Sequence, residues 1–194
     1  RPHAHYFWHQ IAPLYADNPN VLFELYNEDN FGGAENPRSW AEYKALIGPV
    51  AAMVRERAPE TLLLIGCPRW NQDLRDIAGD PFPDPNVAYV WHFYGNHDRT
   101  AWKDAACLAE RHPVFITEFG WQNKDAPSHQ RATTTDFGMP FMDFMAKHHV
   151  SWTAFCFDNE HKPRMFDAAW NVLGGEDYCG EAVRNRLRSP EISD

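Results

Sequence analysis

The sequence predicts an α/β fold of about five parallel strands joined by crossover helices. Three observations predict it. Short runs of β-branched, aromatic and aliphatic residues alternate with longer stretches at helical spacing. Turn chemistry separates them, as in Asp17-Asn18-Pro19-Asn20 and Asp80-Pro81-Phe82-Pro83-Asp84-Pro85. Two of the apolar runs, Asn20 to Glu28 and Pro113 to Glu118, also end abruptly in a glutamate. Charged groups are rarely left at the end of a buried run unless paired or used. In parallel α/β sheets, the strand carboxyl ends are where ligands and catalytic groups collect.

Taken in order, Ala4 to Ala16 has Phe7, Trp8, Ile11 and Leu14 at helical spacing, with Pro13 inside the pattern. Residues 20–29 form the first expected strand, and Gly32-Gly33 follow it. Ser39 is the expected N-cap of a helix to Arg57, with Tyr43, Leu46, Ile47, Val50 and Val54 on one face. Gly48-Pro49 in its middle admits a kink or two shorter helices. Thr61 to Cys67 is the second strand, short enough to be buried on both faces. A short helix is expected over Gln72 to Ala78. The third strand spans Val87 to Gly95, a helix Thr100 to Arg111, and the fourth strand Val114 to Thr117. A helix over Thr134 to His149, a fifth strand over Val150 to Asp158 and a closing helix over Glu181 to Arg188 complete the alternation. No repeat, linker or low-complexity tract interrupts it, so residues 1–194 are expected to form a single domain.

An apolar share of 44% and an aromatic share of 14% suit a globular chain with a sizeable core. The net charge of -9 argues against nucleic-acid or anionic-membrane partners, which need a basic footprint. Trp and Tyr in such numbers either fill the core or serve as flat platforms for sugars. Cys67, Cys107, Cys156 and Cys179 are scattered without metal-site spacing, and Cys67 and Cys156 are expected to be buried thiols. No apolar stretch approaches the roughly 20 residues of a membrane span. No signal-peptide pattern is visible, but the chain opens on Arg1 rather than Met, leaving its natural start open.

Glu28 and Glu118 are the candidate catalytic pair. A retaining glycosidase needs one carboxylic acid to protonate the leaving oxygen and one carboxylate to attack the sugar, about 5–5.5 Å apart. Otherwise such strand-terminal glutamates cap helices or pair with Arg69 or Arg38. His92 and Tyr94 share one face of a strand and so can orient a nucleophile; alone, His92 is equally a satisfied core histidine. Asn27 either binds a sugar hydroxyl or closes a turn. His3, His5 and His9 lack the acidic or cysteine partners that complete a metal site. Asp136-Phe137-Gly138 has none of the motifs that accompany this tripeptide in kinases. No GxSxG elbow or P-loop is present.

From about Phe7 to Phe166 the chain resembles glycoside hydrolase family 5, the cellulase family built on a (β/α)8 barrel. The resemblance rests on Phe23-Glu24-Leu25-Tyr26-Asn27-Glu28, His92-Phe93-Tyr94 and Thr117-Glu118-Phe119-Gly120, in that order. It implies a truncated (β/α)8 TIM-type barrel that keeps the fourth to eighth βα units and lacks the first three. It implies Glu28 as acid/base, Glu118 as nucleophile, Asn27 as a sugar contact, and His92 and Tyr94 as the pair beside the nucleophile. Trp70, Trp121 and Phe155 would be cleft aromatics stacking on successive sugars.

Three departures accompany it. Asp29 stands where the family usually has proline, placing an extra carboxylate beside the acid/base. Phe155, with Trp152 as the alternative, stands for the usual tryptophan at the eighth-strand end. The family's early-strand arginine and histidine have no counterpart. A sheet of five strands also leaves two edges, where a closed barrel has none.

The resemblance implies an endo-acting β-1,4-glucanase that needs no cofactor and no metal. Its partner would be a β-linked polysaccharide or oligosaccharide, and it would be secreted or periplasmic. A β-mannanase, a β-glucosidase and an inactive carbohydrate-binding relic are the alternatives. The two sheet edges add the expectation of a homo-oligomer.

Overall fold

The computed structural model describes residues 2–29, 33 and 35–188. Gly32 of the expected Gly32-Gly33 pair lies outside the described residues. Five strands, β1 (Phe23–Glu24), β2 (Leu63–Ile65), β3 (Val87–Tyr94), β4 (Val114–Gly120) and β5 (Ser151–Trp152), follow one another in the order β1-β2-β3-β4-β5. β1 and β2 pair in parallel with Phe23 opposite Leu63, and β2 pairs with β3 with Leu64 opposite Ala88. The chain divides into two compact units, Arg1–Trp91 with Lys103–Phe115, and His92–Trp102 with Ile116–Asp194. The division falls within β3 and β4, so each unit is described by itself. No helix among the described residues is long and apolar enough to cross a membrane.

In the first unit, helix α1 (Pro2–Tyr15) carries Pro13 inside it and docks through Trp8. The Trp8 ring meets Phe23 at 5.0 Å, and its Nε1–H donates to the Leu25 carbonyl at 2.9 Å. Phe7 and Leu14, expected on the buried stripe, are exposed. Helix α2 (Trp40–Arg57) is one helix despite Pro49 and buries Tyr43, Ile47, Val50 and Val54, as the spacing requires. At its C-terminal end the Arg55 guanidinium donates to Asp84 Oδ2 (2.9 Å) and to the carbonyls of Pro59 (2.8 Å) and Thr61 (2.7 Å). One cation thus satisfies several loop carbonyls at the start of β2 and β3.

β3 is buried on both faces, and the period of two sorts its side chains. Ala88 and Val90 join Leu64 in an apolar cluster with Leu62 and Phe115. On the other face Tyr89 meets Trp40 and His112 edge-on at 6.0 and 5.7 Å.

In the second unit Phe93 packs on Phe137 and Phe141 at 6.0 and 5.1 Å. Helix Gly180–Arg188 forms where expected, as does helix Ala101–Ala109, of which all but the first two residues belong to the first unit. The expected helix over Thr134 to His149 opens as a π-helical segment, Thr134–Gly138, before turning α-helical over Met139–Lys147.

Three expectations are corrected. The runs at residues 20–29 and 150–158 contract to two-residue strands at the two ends of the sheet order. There a strand pairs on one side only, so fewer backbone groups hold it extended. No helix covers Gln72 to Ala78. Turns precede a single 3-10 turn at Ile77–Gly79, and Arg75 binds its neighbour Asp73 (Nε to Oδ1, 2.7 Å). Local side-chain bonds of this kind compete with a helix.

The start of α2 yields a prediction. Ser39 Oγ accepts from the Glu42 N–H (3.3 Å), and Glu42 Oε2 accepts from the Ser39 N–H (2.8 Å), a complete capping box. Ser39→Ala should cost about 1 kcal/mol and lower the melting temperature by roughly 2–4 °C in thermal unfolding. The backbone N–H of Ser39 holds the Glu42 carboxyl below its ordinary 4.5. A depressed carboxylate stabilises above its unfolded pKa, and that contribution is lost as pH falls through the folded value. Ser39→Ala keeps that backbone N–H and removes only the hydroxyl that also donates to Glu42 Oε2 (2.8 Å), so its penalty should narrow slightly below about pH 4.5, the carboxyl's ordinary value.

Candidate active site

Along β3 the face that carries Ala88 and Val90 continues to His92 and Tyr94, so one strand runs from apolar to polar toward its carboxyl end. β4 meets it with an irregularity. The Thr153 N–H donates to the Ile116 carbonyl (2.8 Å), while the Phe155 N–H, two residues on, donates to the Phe119 carbonyl (2.8 Å). Two residues on one side thus span three on β4, which is a β-bulge. Its effect is to turn consecutive side chains the same way. His92 Nε2 lies 2.9 Å from Thr117 Oγ1, and His92 Nδ1 lies 3.6 Å from Glu118 Oε2. The Tyr94 hydroxyl donates to that same carboxylate oxygen at 2.6 Å. His92 is fully buried and both of its ring nitrogens face β4, so its orientation is fixed. Thr117 belongs to the motif that ends in Gly120 but carries no site role by sequence, because strict alternation places it and Glu118 on opposite faces.

Past the bulge Phe119 turns to pack on Phe141 and Trp152, at 5.9 and 5.3 Å. Gly120 follows at a point where a Cβ would strike the Phe155 carbonyl, so only glycine lets the loop after β5 close on β4. That loop brings the Phe155 ring edge-on to Tyr94 at 6.3 Å. Trp152, the alternative to Phe155, is occupied by its contact with Phe119.

Trp121 is a correction. It is fully buried, its ring lies where any side chain on Gly138 would sit, and its Nε1–H donates to Thr134 Oγ1 at 3.0 Å. It anchors the π-helical segment and offers no face to a sugar.

Cys156 is half-buried rather than buried, and Cys179 is the buried thiol alongside Cys67. Burial, with Asp158 and Glu118 adding to it, pushes the Cys156 thiol up to about 11. At neutral pH it stays protonated and does not compete as a nucleophile.

The other predicted residues lie in the first unit. Asn27 is exposed just beyond β1, and Glu28 is partly buried with a φ of 34°, in the left-handed region that a glutamate rarely adopts. Asp29 is buried and paired with Arg38 (Oδ2 to Nε, 3.1 Å), so the extra carboxylate is compensated by a cation. The Asp29 carbonyl accepts from the Trp70 N–H at 3.1 Å, which ties the end of β1 to the turn after β2. In that turn Arg69, Trp70 and Asn71 all have positive φ, and buried Asn71 holds it by accepting from the Cys67 N–H at 3.0 Å. Trp70 is half-buried there. His3, His5 and His9 are exposed on α1.

Known proteins resemble this chain along most of its length. The profile described as cellulase (glycosyl hydrolase family 5) matches residues 3–161. Endoglucanase E-5 of Thermobifida fusca is 29% identical over 94% of this chain and 41% of its own length. The crystal structure of the catalytic domain of Thermobifida fusca endoglucanase Cel5A superposes with a TM-score of 0.80 at 26% identity, covering 97% of this chain and 64% of that one. A structure of that domain in complex with cellotetraose gives a TM-score of 0.80 at 25% identity, over 97% of this chain and 64% of that one. The chain thus spans about two fifths of the curated relative, a share of 41%. Five parallel strands that match only part of such a domain make the fold a truncated (β/α)8 barrel. With most of its length matched by the profile and the order of its strands retained, the chain belongs to the cellulase family, glycosyl hydrolase family 5.

Proposed function

We propose that this protein is a retaining glycoside hydrolase that cuts β-1,4-linked glucan internally, with Glu118 as nucleophile and Glu28 as acid/base. The observation that carries the reading is the hydrogen bond of 2.6 Å from the Tyr94 hydroxyl to Glu118 Oε2. With His92 beside the same oxygen, it fixes the carboxylate and leaves the other oxygen to attack. In the first step Glu118 bonds to the anomeric carbon while the Glu28 carboxylic acid gives its proton to the departing glycosidic oxygen. In the second, Glu28, now a carboxylate, takes a proton from water. The resulting nucleophile attacks the anomeric carbon and releases Glu118.

The strained backbone at Glu28 supports a functional role, since left-handed non-glycine residues persist where the surroundings enforce them. The glucan substrate is taken from the relatives, one named an endoglucanase and one solved with cellotetraose. Asn27, Trp70 and Phe155 are the proposed sugar contacts, and the whole chain acts as one catalytic domain. A polymeric substrate places that action outside the cell membrane, secreted or periplasmic.

Reducing-sugar release from soluble β-glucans tests the reading. Glu118→Gln and Glu28→Gln should each cut turnover by at least on the order of 1,000-fold with the fold intact. Tyr94→Phe should lower kcat by about 10- to 100-fold with little change in KM, since it loosens the nucleophile rather than the sugar. Sugar binding without release by the unaltered protein would instead make it a carbohydrate-binding relic. Association through β1 and β5, the ends of the sheet order, predicts a dimer at high concentration; a strictly monomeric elution profile contradicts it.

A further inference from the structure

Beyond Phe155 the chain builds a cluster that the reaction does not use. The rings of Phe157, Phe166 and Trp170 contact one another, with centroids 4.6, 5.4 and 6.2 Å apart. Phe157 is 76% exposed and Trp170 54%. Single exposed apolar side chains are ordinary, but three mutually packed rings on one face are not scattered.

The cluster is also braced. Phe166 and Val172 form an antiparallel bridge, and Trp170 sits at the tip with a φ of 62°. Asp167 holds that tip, its Oδ1 accepting from the Ala169 and Asn171 N–H groups at 2.9 Å each and its carbonyl from the Trp170 N–H at 2.9 Å. The Asn171 side chain keeps the Asp167 carboxyl below its usual range, so the brace stays ionised near neutrality. At the other end, the Asp158 carbonyl accepts from the Phe166 N–H at 3.2 Å, which ties Phe157 to the same hairpin. The chain thus commits several hydrogen bonds to holding these rings at the surface, where a ligand that covers them gains their apolar area.

We infer that Phe157, Phe166 and Trp170 form a remote glucan-binding platform, on which a chain reaching the catalytic carboxylate lays one of its outlying sugars. The inference rests on the hydrolase reading and adds a site to it. Three observations select the occupant. The cluster continues the site: Glu118 is held by Tyr94, Tyr94 meets Phe155, and Phe157 lies two residues further on. Its flat apolar faces with Asp167 and Asn171 beside them suit a pyranose, which has an apolar C–H face and a hydroxyl rim. Three rings also offer far less than the roughly 800 Å² per partner of a stable protein interface, so a second copy is the poorer fit.

The test is binding of cello-oligosaccharides by calorimetry to the full chain carrying Glu118→Gln, which stops turnover. Adding Trp170→Ala or Phe157→Ala should weaken cellohexaose about tenfold, leave cellobiose unchanged, and Trp170→Phe should restore most of the loss. Near-UV circular dichroism checks that the variants fold. Cellohexaose affinity unchanged in both alanine variants overturns the platform, as does an equal loss for cellobiose and cellohexaose. A dimer that dissociates in Trp170→Ala with sugar affinity unchanged overturns it in favour of a second copy. Failure of the hydrolase reading is distinguishable, because it shows as absent turnover of glucan by the unaltered protein, whereas failure of the platform leaves that turnover in place.

Discussion

The extra residue in β4 is the constraint on which the second unit depends. A regular strand alternates its side chains, so Thr117 and Glu118 would face opposite ways. The bulge turns both toward His92, and one histidine then fixes a threonine and a carboxylate at once. Tyr94 reaches the same carboxylate because β3 keeps its period of two from Val90 onward. The shift also frees Phe119 to face the helix Met139–Lys147, where Phe141 receives it, and sets Gly120 against the Phe155 carbonyl. Position, packing and loop closure thus follow from one irregularity.

The first unit solves a different problem with similar means. Its polar groups lie beyond strands too short to hold them by ladder bonds alone. The chain uses local anchors instead: the Asp29–Arg38 ion pair, the bond from the Trp70 N–H to the Asp29 carbonyl, and buried Asn71 beneath the turn. These hold positive φ values at Glu28, Arg69, Trp70 and Asn71 that an unsupported loop would relax. Behind them, Trp8 and the α2 stripe supply the apolar burial.

The alternation of strands and helices was legible because each apolar run is short and bounded by turn chemistry. β3 was readable almost to the residue, since a strand buried on both faces is written as continuous apolar sequence. β1 and β5 read too long, because hydrophobicity records burial and not whether a neighbour completes the ladder. Glu118, His92 and Tyr94 could be grouped from strand ends and spacing, but Thr117 could not, since a bulge leaves no mark in composition. The burial of Trp121 was illegible for a different reason: its environment is set by Gly138 and Thr134, which lie in a separate segment. The N-cap at Ser39 was legible because capping is local, and the structure adds Glu42, three residues on, as the second half of the box.

The central claim is that Glu118 attacks the sugar and carries it covalently. A cellobioside with fluorine at C2 and a good leaving group slows release of the sugar from the enzyme, so any glycosyl-enzyme intermediate accumulates. Mass spectrometry of the intact protein and its peptides then reads the site. The account predicts one added fluorocellobiosyl group on the peptide holding Glu118, and none after Glu118→Gln. An adduct on another residue, or steady turnover of the substrate with inversion at the anomeric carbon and no adduct, would contradict it.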